Sequence, residues 1–277
     1  MADLRKTVDL SIIIISWNSR EFLRRCLESI HADGLSIEII LVDNASKDGT
    51  SEMMLRNYPG VILVQNEQNI GMPARNQGLS MAKGKFLLLL DVDTVVRRGS
   101  LRKLVEYLRS NPDVGLVAAK LMDEQGNLQY TCHKFPTVVS KVLRRYRFGW
   151  AERFLREVEF RDWDHGSIRE VDYVIGACQM IKREAYEKVG PIDSRIFYGP
   201  EDVDYCLRVW QAGYRVVYNP EAVIVHAERR VTRKSWFKRT TWEHVKGLAY
   251  YFFKHRYLFS RDKIYRTIPF YSLRAQG

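Results

Sequence analysis

The stretch at residues 10–49, LSIIIISWNSREFLRRCLESIHADGLSIEIILVDNASKDG, combines the patterns that decide the fold. Leu10–Ile15 is a continuous apolar run rich in β-branched residues, which predicts a strand buried on both faces. Arg20–His31 then repeats apolar residues at helical spacing, and Ile37–Val42 is a second apolar run that ends in a polar loop. Strand, helix and strand in this order predict a βαβ unit with two parallel strands.

Further segments repeat this alternation as far as residue 93. Val61–Gln65 and Lys85–Leu90 are apolar runs that predict strands, and Pro73–Ala82 predicts a helix with proline near its first turn. We therefore predict an α/β fold with a mostly parallel central sheet and helices on both faces. The ligand of such a sheet lies beyond the carboxyl ends of the strands. The polar loops that follow the strands should therefore share one rim.

Beyond residue 93 the alternation is less regular. The expected helices are Ser100–Ser110, Glu201–Ala212 and Trp236–Tyr257, and the expected strands are Val114–Lys120, Val171–Lys182, Arg215–Tyr218 and Ala222–Val225. We expect one domain over residues 1–226, followed by a basic and aromatic helical extension over residues 227–277.

Positive charge is concentrated in this extension. The 277 residues carry a formal net charge of +11, and 46% of them are hydrophobic, which excludes wholesale disorder. From His226 to the C-terminus there are 13 Lys/Arg and 3 Asp/Glu residues, so the preceding part is nearly neutral. This distribution favours local docking on an anionic membrane surface, and we expect no nucleic acid partner. A helix that packs its aromatic residues on the domain is the alternative.

Cysteine usage and hydropathy indicate the compartment. Cys26, Cys132, Cys178 and Cys206 form no CxxC pair, which excludes zinc-ribbon sites and favours buried free thiols in a reducing compartment. The N-terminus lacks the apolar core of a signal peptide, and the apolar runs are too short to span a bilayer. We expect a cytoplasmic protein, with peripheral attachment at the inner face of the cytoplasmic membrane as an open alternative.

Two acidic motifs and one histidine are candidates for chemistry. Asp91-Val92-Asp93 ends an apolar strand, where carboxylates can hold Mg²⁺ or Mn²⁺ together with substrate phosphates; a simple turn is the alternative. Glu201-Asp202-Val203-Asp204 begins a helix, where acids stabilise the helix dipole, and one of them is a candidate general base. His226 ends a strand, where it serves either a structural role or as a metal or phosphate contact.

The loop Asp43-Asn44-Ala45-Ser46-Lys47-Asp48-Gly49 admits two interpretations. Asp43 at the strand end can accept a hydrogen bond from a nucleobase N–H. It can equally form an Asx turn, with Asp48 capping the next helix. The chemistry of the residues alone favours neither of these two roles for Asp43 over the other.

Taken together, the motifs resemble those of family-two glycosyltransferases with the GT-A fold, most closely the rhamnosyltransferase-like branch of bacterial polysaccharide biosynthesis. The ordered motifs are SIIIISWN (11–18), LVDNASKDG (41–49), NIGMPARNQG (69–78), LLLLDVD (87–93), GACQMI (176–181) and EDVDYCLR (201–208). The resemblance runs from about residue 10 to residue 226 and implies a Rossmann-like GT-A domain. It also implies inverting transfer of a sugar from a nucleoside diphosphate sugar, dTDP- or UDP-linked, with Mn²⁺ or Mg²⁺ as cofactor.

The resemblance assigns a role to each candidate residue. Nucleotide and donor binding fall to Ser16, Asn18, Glu21, Asp43, Asn69, Arg75 and Asp91. The metal ligands are Asp93, Asp91 and His226, and the catalytic base is Asp202. Glu201 and Asp204 lie on the acceptor side, where a saccharide or a polyprenyl-linked saccharide is the expected acceptor. Pro73 departs from the small or aromatic residues that relatives usually carry, which leaves the donor sugar open.

Two other functions compete with this one. A sugar nucleotidyltransferase also uses a doubly wound sheet and acidic metal ligands. However, it should carry a glycine-rich, basic phosphate loop after its first strand. In this chain the first strand is followed by Ser16-Trp17-Asn18-Ser19, which contains neither glycine nor a basic residue. A non-catalytic carbohydrate- or membrane-binding adaptor is the rival from another class. The intact acids of both motifs argue against a degenerate site.

Overall fold

The computed structural model describes residues 7–146, 149–227 and 239–269. Its strands are β1 (Leu10–Ser16), β2 (Ile37–Asp43), β3 (Ile62–Gln65), β4 (Phe86–Asp91), β5 (Thr94–Val96), β6 (Val114–Met122), β7 (Cys132–His133), β8 (Arg169–Glu170), β9 (Tyr173–Val174), β10 (Cys178–Lys182) and β11 (Arg215–His226). Its α-helices are α1 (Arg20–Ser29), α2 (Thr50–Asn57), α3 (Arg75–Met81), α4 (Ser100–Ser110), α5 (Val138–Tyr146), α6 (Glu152–Val158), α7 (Arg183–Val189), α8 (Glu201–Gln211), α9 (Arg239–His255) and α10 (Asp262–Tyr265). Short 3-10 helices cover Met72–Ala74 and Gly149–Ala151.

The central sheet of the described residues follows the order β3-β2-β1-β4-β10-β6-β11-β5. The first four strands in this order are parallel, as their apolar runs predict. β10 lies between β4 and β6 and is antiparallel to both, whereas β11 is parallel to β6. Because β10 is reversed, its N-terminal residue Cys178 pairs with Leu90 near the carboxyl end of β4. The chain that enters β10 therefore reaches the same rim as the loops that leave β1, β2 and β4.

Helices cover both faces of this sheet, as predicted. Successive side chains of β1 point to opposite faces. Ile13 packs in the cluster that contains Trp210 of α8, whereas Ile12 packs in the cluster that contains Leu23 of α1 and Leu104 of α4. All five side chains are buried, and burying an aliphatic side chain of this size stabilises the fold by about 1.5–3 kcal/mol.

Two predicted strand boundaries differ from the structure. The predicted strand Val171–Lys182 is divided, because β9 pairs with β7 in a separate two-stranded sheet and only β10 joins the central sheet. The break falls at Gly176, whose amide donates a hydrogen bond to a side chain of α8. In contrast, the predicted strands Arg215–Tyr218 and Ala222–Val225 are one strand, β11, which accommodates Pro220 by a register shift.

The C-terminal helix α9 packs on α8 through buried charges. The Asp204 carboxylate accepts hydrogen bonds from Lys254 Nζ (2.6 Å) and His255 Nε2 (2.8 Å). Gly247 marks the closest approach, since an added Cβ would lie 2.4 Å from the Gly199 carbonyl oxygen. The extension is therefore in contact with the domain over its described residues, as the packing alternative predicts.

Parts of the predicted extension are not covered by this description. The basic residues Arg229, Arg230, Arg233, Lys234 and Lys238, and the predicted helix start at Trp236, lie outside the described residues. The four cysteines are free and buried, as their spacing predicts. Within the described ranges, every helix is too short or too polar to cross a membrane.

Candidate active site

The first two loops of the rim are bound to each other. Asn18 follows β1 with a left-handed φ of 48°. Its side-chain Oδ1 accepts a hydrogen bond from the backbone amide of Lys47 (2.8 Å), and its backbone amide donates to Ser46 Oγ (2.9 Å). Asn18 thereby fixes the loop that follows β2, and this accounts for its place in the motif whether or not it also contacts a ligand.

The next residues of the rim are buried beside these loops. The Asp43 carboxylate accepts hydrogen bonds from the Ser46 amide (3.1 Å) and Ser51 Oγ (2.6 Å). The bond from Ser46 forms the Asx turn, which is one of the two roles that the sequence allows for Asp43. Asn69 Oδ1 accepts from Asn44 Nδ2 (2.9 Å), which joins the loops after β2 and β3. Ser16 is buried, and its hydroxyl has no hydrogen-bond partner within the described residues.

Asp91, Asp93 and His226 come together where β4 and β11 end. One ligand atom from each of them lies within 4.8 Å of the other two. The three residues are separated by up to 135 positions, and β5 brings them together because Thr94 pairs with His226. Two carboxylates and an imidazole form a donor set for a divalent cation.

The hydrogen bonds of Gln129 determine how His226 presents its ring. Gln129 Nε2 donates to the His226 carbonyl oxygen (2.9 Å), which leaves Gln129 Oε1 facing His226 Nδ1 (2.9 Å). An amide oxygen only accepts, so Nδ1 carries a proton, and in the neutral imidazole Nε2 then presents a lone pair. That lone pair lies 3.5 Å from Asp93 Oδ1. Asp93 Oδ1 and the Nε2 lone pair could both coordinate one divalent metal ion, so the residues fit such an ion.

Arg75 connects Asp91 of this group to Gly176, the residue that also contacts Asp202. It is buried at the start of α3, and its Nη2 donates to Asp91 Oδ1 (2.5 Å) and to the Gly176 carbonyl oxygen (3.2 Å). Its Nε has no partner among the described residues. Burial raises the pKa of Asp91, and the Arg75 guanidinium opposes that change. Arg75 therefore links Asp91 to the loop that contains Gly176.

Asp202 and Glu201 begin α8 on the other side of Gly176. The Asp202 carboxylate accepts hydrogen bonds from the amides of Val203 (2.8 Å) and Gly176 (3.2 Å). Burial raises the pKa of Asp202. Glu201 is 7% exposed, one of its carboxylate oxygens has no partner in the described chain, and burial and Asp202 raise its pKa to about 7. Asp202, which is only partly buried, thus disfavours the charged form of its neighbour Glu201.

Two of the predicted site residues lie elsewhere. Asp204 is fully buried between α8 and α9, with Arg208, Lys254 and His255 as its partners, so it does not face an acceptor. Helical geometry explains this difference, because residues two apart on a helix point in different directions. Glu21 is exposed on α1 and forms an ion pair with Arg24 (2.5 Å), and it borders a surface hollow between α1 and α2.

The structure adds residues that the sequence motifs did not indicate. Gln129 belongs to none of the sequence motifs, and it lies 97 positions before its partner His226. Tyr198 lies among the acids of the rim, since burial, Glu201 and Asp91 raise its pKa to about 12. Lys141 of α5 has its pKa lowered to about 8 by burial, and Asp202 opposes that change. Only Tyr198 had a signal in the sequence, namely its place just before the Gly-Pro pair that precedes the acidic motif of α8.

This geometry can stabilise a leaving diphosphate on one side and remove a proton on the other. Asp91, Asp93 and His226 could hold a divalent cation, and the Arg75 guanidinium lies beside Asp91. Asp202 supplies a carboxylate whose orientation is set by two backbone amides. Gly176 donates to Asp202 and accepts from Arg75, so one residue fixes the relation between the two parts.

Comparison with known proteins is consistent with this arrangement. Residues 11–190 match the family described as Glycosyl transferase family 2. An N-acetylglucosaminyl-diphospho-decaprenol L-rhamnosyltransferase from Mycobacterium tuberculosis (strain ATCC 25618 / H37Rv) is 24% identical over 242 residues, which are 80% of this chain and 77% of that protein. Rhamnosyltransferase WbbL from Escherichia coli (strain K12) is 24% identical over 260 residues, which are 91% of this chain and 95% of that protein.

Solved structures confirm the predicted GT-A fold. The mannosyltransferase PcManGT from Pyrobaculum calidifontis, in complex with GDP-Man and Mn²⁺, has a TM-score of 0.57 and 24% identity, covering 80% of this chain and 58% of that one. GalNAc-T7 with UDP, GalNAc and Mn²⁺ has a TM-score of 0.60 and 19% identity, covering 80% of this chain and 44% of that one. The chain thus spans about half the length of these solved proteins.

Proposed function

The chain belongs to glycosyl transferase family 2, and we propose that it transfers a hexose, such as rhamnose, from a dTDP- or UDP-linked donor to a saccharide acceptor with inversion. The two rhamnosyltransferases among its relatives support this choice of sugar. One observation carries the proposal: Gly176 lies between Asp202 and the Arg75–Asp91 pair and is hydrogen-bonded to both. Its amide donates to Asp202, and its carbonyl oxygen accepts from Arg75, which also donates to Asp91. This arrangement sets a base beside the place where a diphosphate leaves.

Asp202 acts as the general base in this proposal. The acceptor hydroxyl oxygen attacks the anomeric carbon of the donor, the bond from that carbon to the diphosphate oxygen breaks, and the hydroxyl proton passes to Asp202. Burial raises the pKa of Asp202, which brings its basicity towards that needed near neutral pH. The amides of Gly176 and Val203 orient the carboxylate, and no covalent nucleophile is needed.

Asp91, Asp93 and His226 would hold Mn²⁺ or Mg²⁺. When bound, such a cation neutralises negative charge that develops on the leaving nucleoside diphosphate. Arg75 contributes a fixed guanidinium on the same side. The lone pair of His226 Nε2 opposite Asp93 supports this use of the site. Two solved relatives in fold contain Mn²⁺, which supports the choice of metal.

A lipid-linked saccharide is the proposed acceptor, and cell-surface polysaccharide synthesis is the proposed process. The name of the mycobacterial relative describes a sugar attached to decaprenol through a diphosphate. On α9, Trp242 is 61% and Phe253 is 81% exposed, beside a basic chain segment. Exposed aromatic residues next to Lys and Arg suit an anionic bilayer surface. We therefore place the protein peripherally at the cytoplasmic side of the membrane that carries its acceptor.

Asp202→Asn tests the proposal. The assay measures sugar transfer from dTDP-rhamnose and UDP-sugars to a synthetic N-acetylglucosaminyl diphosphoryl lipid, and in parallel the binding of dTDP and UDP with Mn²⁺. Transfer should fall by about 10²- to 10⁴-fold, the usual contribution of a general base, while nucleotide binding remains. The matched control is Asp162→Asn, which removes an exposed carboxylate of the domain. Turnover in Asp202→Asn close to that of the control would refute the assignment of the base.

A further inference from the structure

Residues 190–200 connect α7 to α8 and lie between α9 and the Arg75 loop (residues 69–76). This connecting segment forms neither helix nor strand, so contacts with its neighbours determine its position. Arg208 of α8 fixes its beginning, because Nη1 donates to the Val189 carbonyl oxygen (3.0 Å) and Nη2 donates to the Pro191 carbonyl oxygen (2.9 Å). The rest of the segment contacts the Arg75 loop on one side and α9 on the other.

The connecting segment is attached to the Arg75 loop at two points. Asn76 uses both polar groups of its side chain: Nδ2 donates to the Ile192 carbonyl oxygen (2.8 Å), and Oδ1 accepts from the Ile192 amide (2.9 Å). The Met72 amide donates to the Phe197 carbonyl oxygen (2.8 Å). The segment is therefore hydrogen-bonded to the loop at two positions that are four residues apart.

These two attachments lie on either side of Arg75 in the chain. Arg75 donates to Asp91 Oδ1 (2.5 Å), and Asp91 belongs to the group that could hold a metal ion. Gly71 brings the two backbones into direct contact, since its φ is 74° and an added Cβ would overlap the Phe197 carbonyl oxygen. A shift of the connecting segment would therefore move Arg75 relative to Asp91.

The opposite side of the connecting segment is held by α9. Asp193 Oδ2 accepts hydrogen bonds from Tyr250 Oη (2.9 Å) and Lys254 Nζ (2.9 Å). The Arg195 guanidinium lies over the Tyr250 ring, 4.7 Å from its centroid. Near the other end of the segment, the Gly199 backbone also packs on α9. The carboxylate and its two donors are partly buried, where hydrogen bonds to an ionised group contribute more than at the surface.

We propose that Lys254 and Tyr250 of α9 are positioning residues for donor binding. By holding Asp193, they keep the connecting segment against the Arg75 loop, and this contact keeps the Arg75 guanidinium at Asp91, beside the diphosphate of the donor. The inference rests on the proposed function, because it gives the C-terminal extension a part in binding that same donor. Contacts that form one continuous chain of packed and hydrogen-bonded groups can carry such coupling between two sites.

Lys254→Met and Tyr250→Phe test the proposal, with Lys246→Met as the matched control. Lys246 is exposed on the same helix, and its ion pair with Glu243 (3.2 Å) stays within α9. Calorimetry measures the affinity for dTDP and UDP with Mn²⁺. Binding should weaken by about 2- to 30-fold in Lys254→Met, the range for residues that couple two sites. Tyr250→Phe should show a smaller loss, and Lys246→Met should bind like wild type.

Hydrogen exchange without any ligand measures the step that links α9 to the Arg75 loop. The amides of residues 69–76 should exchange faster in both Lys254→Met and Tyr250→Phe than in wild type, because the connecting segment holds them less firmly. The amides of β6, which β10 separates from β4, should exchange as in wild type. A purely structural role of the two residues would instead accelerate exchange throughout the sheet.

Three results would overturn the inference. They are unchanged exchange in residues 69–76, nucleotide affinity equal to that of Lys246→Met, and equal acceleration in β6, since loss of overall stability would then explain the effect. Lys254 also donates to Asp204, so Tyr250→Phe, which keeps that bond, decides the matter if Lys254→Met does not fold. Failure of the proposed function is a different result: wild type would bind neither dTDP nor UDP, while the exchange comparison would still show whether α9 holds the Arg75 loop.

Discussion

Replacing Gln129 by leucine should weaken the binding of Mn²⁺ at Asp91, Asp93 and His226. In the wild type, Gln129 fixes the His226 ring by accepting from Nδ1 and fixes the His226 backbone by donating to its carbonyl oxygen. Leucine offers neither group. The imidazole can then rotate or move its proton to Nε2, and either change removes the lone pair from the side that faces Asp93.

The expected size of the effect follows from these two contacts. Both hydrogen bonds of Gln129 are 2.9 Å long, and each such bond contributes about 1 kcal/mol net. Losing both corresponds to about 2 kcal/mol, or roughly 30-fold in affinity at 1.4 kcal/mol per tenfold. This lies within the range of about 10- to 100-fold that residues orienting metal-bound histidines usually contribute.

Electron paramagnetic resonance of free Mn²⁺ during a titration measures this affinity directly. Two further variants separate orientation from general damage. Gln129→Glu keeps an acceptor for Nδ1–H but loses the donor to the backbone, so its affinity should be intermediate. Gln125→Leu changes an exposed glutamine in the preceding turn and should bind like wild type. Mn²⁺ affinity in folded Gln129→Leu within twofold of wild type would refute the reasoning.

Three further predictions concern the start of α8 and the helix packed on it. Because burial and a neighbouring carboxyl group raise the pKa of Glu201 to about 7, its contribution to stability is present at low pH and is lost as the pH rises through that value. Glu201→Gln should therefore melt higher than wild type at pH 8 and almost equally at pH 4.5 in thermal scans with chelator. Asp204→Asn should lower the free energy of unfolding in urea by about 3 kcal/mol, because its buried basic partners lose their counter-charge. Gly247→Ala should lower the melting temperature by several degrees, because the new Cβ would lie 2.4 Å from the Gly199 carbonyl oxygen, whereas Gly60→Ala meets nothing within 4 Å and should melt like wild type.

The sequence predicts best where one local pattern determines the structure. The strands β1, β2, β3 and β4 are parallel because each is an apolar run followed by a polar loop and a helix. The same rule places the loops after these strands at one rim. The proximity of Asp91 and Asp93 to the first two loops could therefore be expected, and so could helices on both faces of the sheet.

Features that depend on distant parts of the chain could not be predicted in this way. The reversal of β10 depends on its pairing with β4 and β6, and an apolar run carries no sign of strand direction. The tautomer of His226 depends on Gln129, which is distant in sequence. Asp202 and Asp204 look equivalent in the acidic motif, and only the packing of α9 shows that one is open to the rim while the other is enclosed by basic side chains.

The most direct test of the account is metal-dependent binding of a nucleoside diphosphate. Thermal unfolding of wild type and Asp93→Asn is compared with UDP, dTDP, GDP and CDP, each with Mn²⁺ or with chelator. A ligand at about 100 times its Kd stabilises the folded state by about 2.7 kcal/mol. The account predicts that one nucleotide stabilises wild type only with Mn²⁺ and that Asp93→Asn loses the effect. Folded wild type that no nucleoside diphosphate stabilises, with or without the metal, would contradict the donor site.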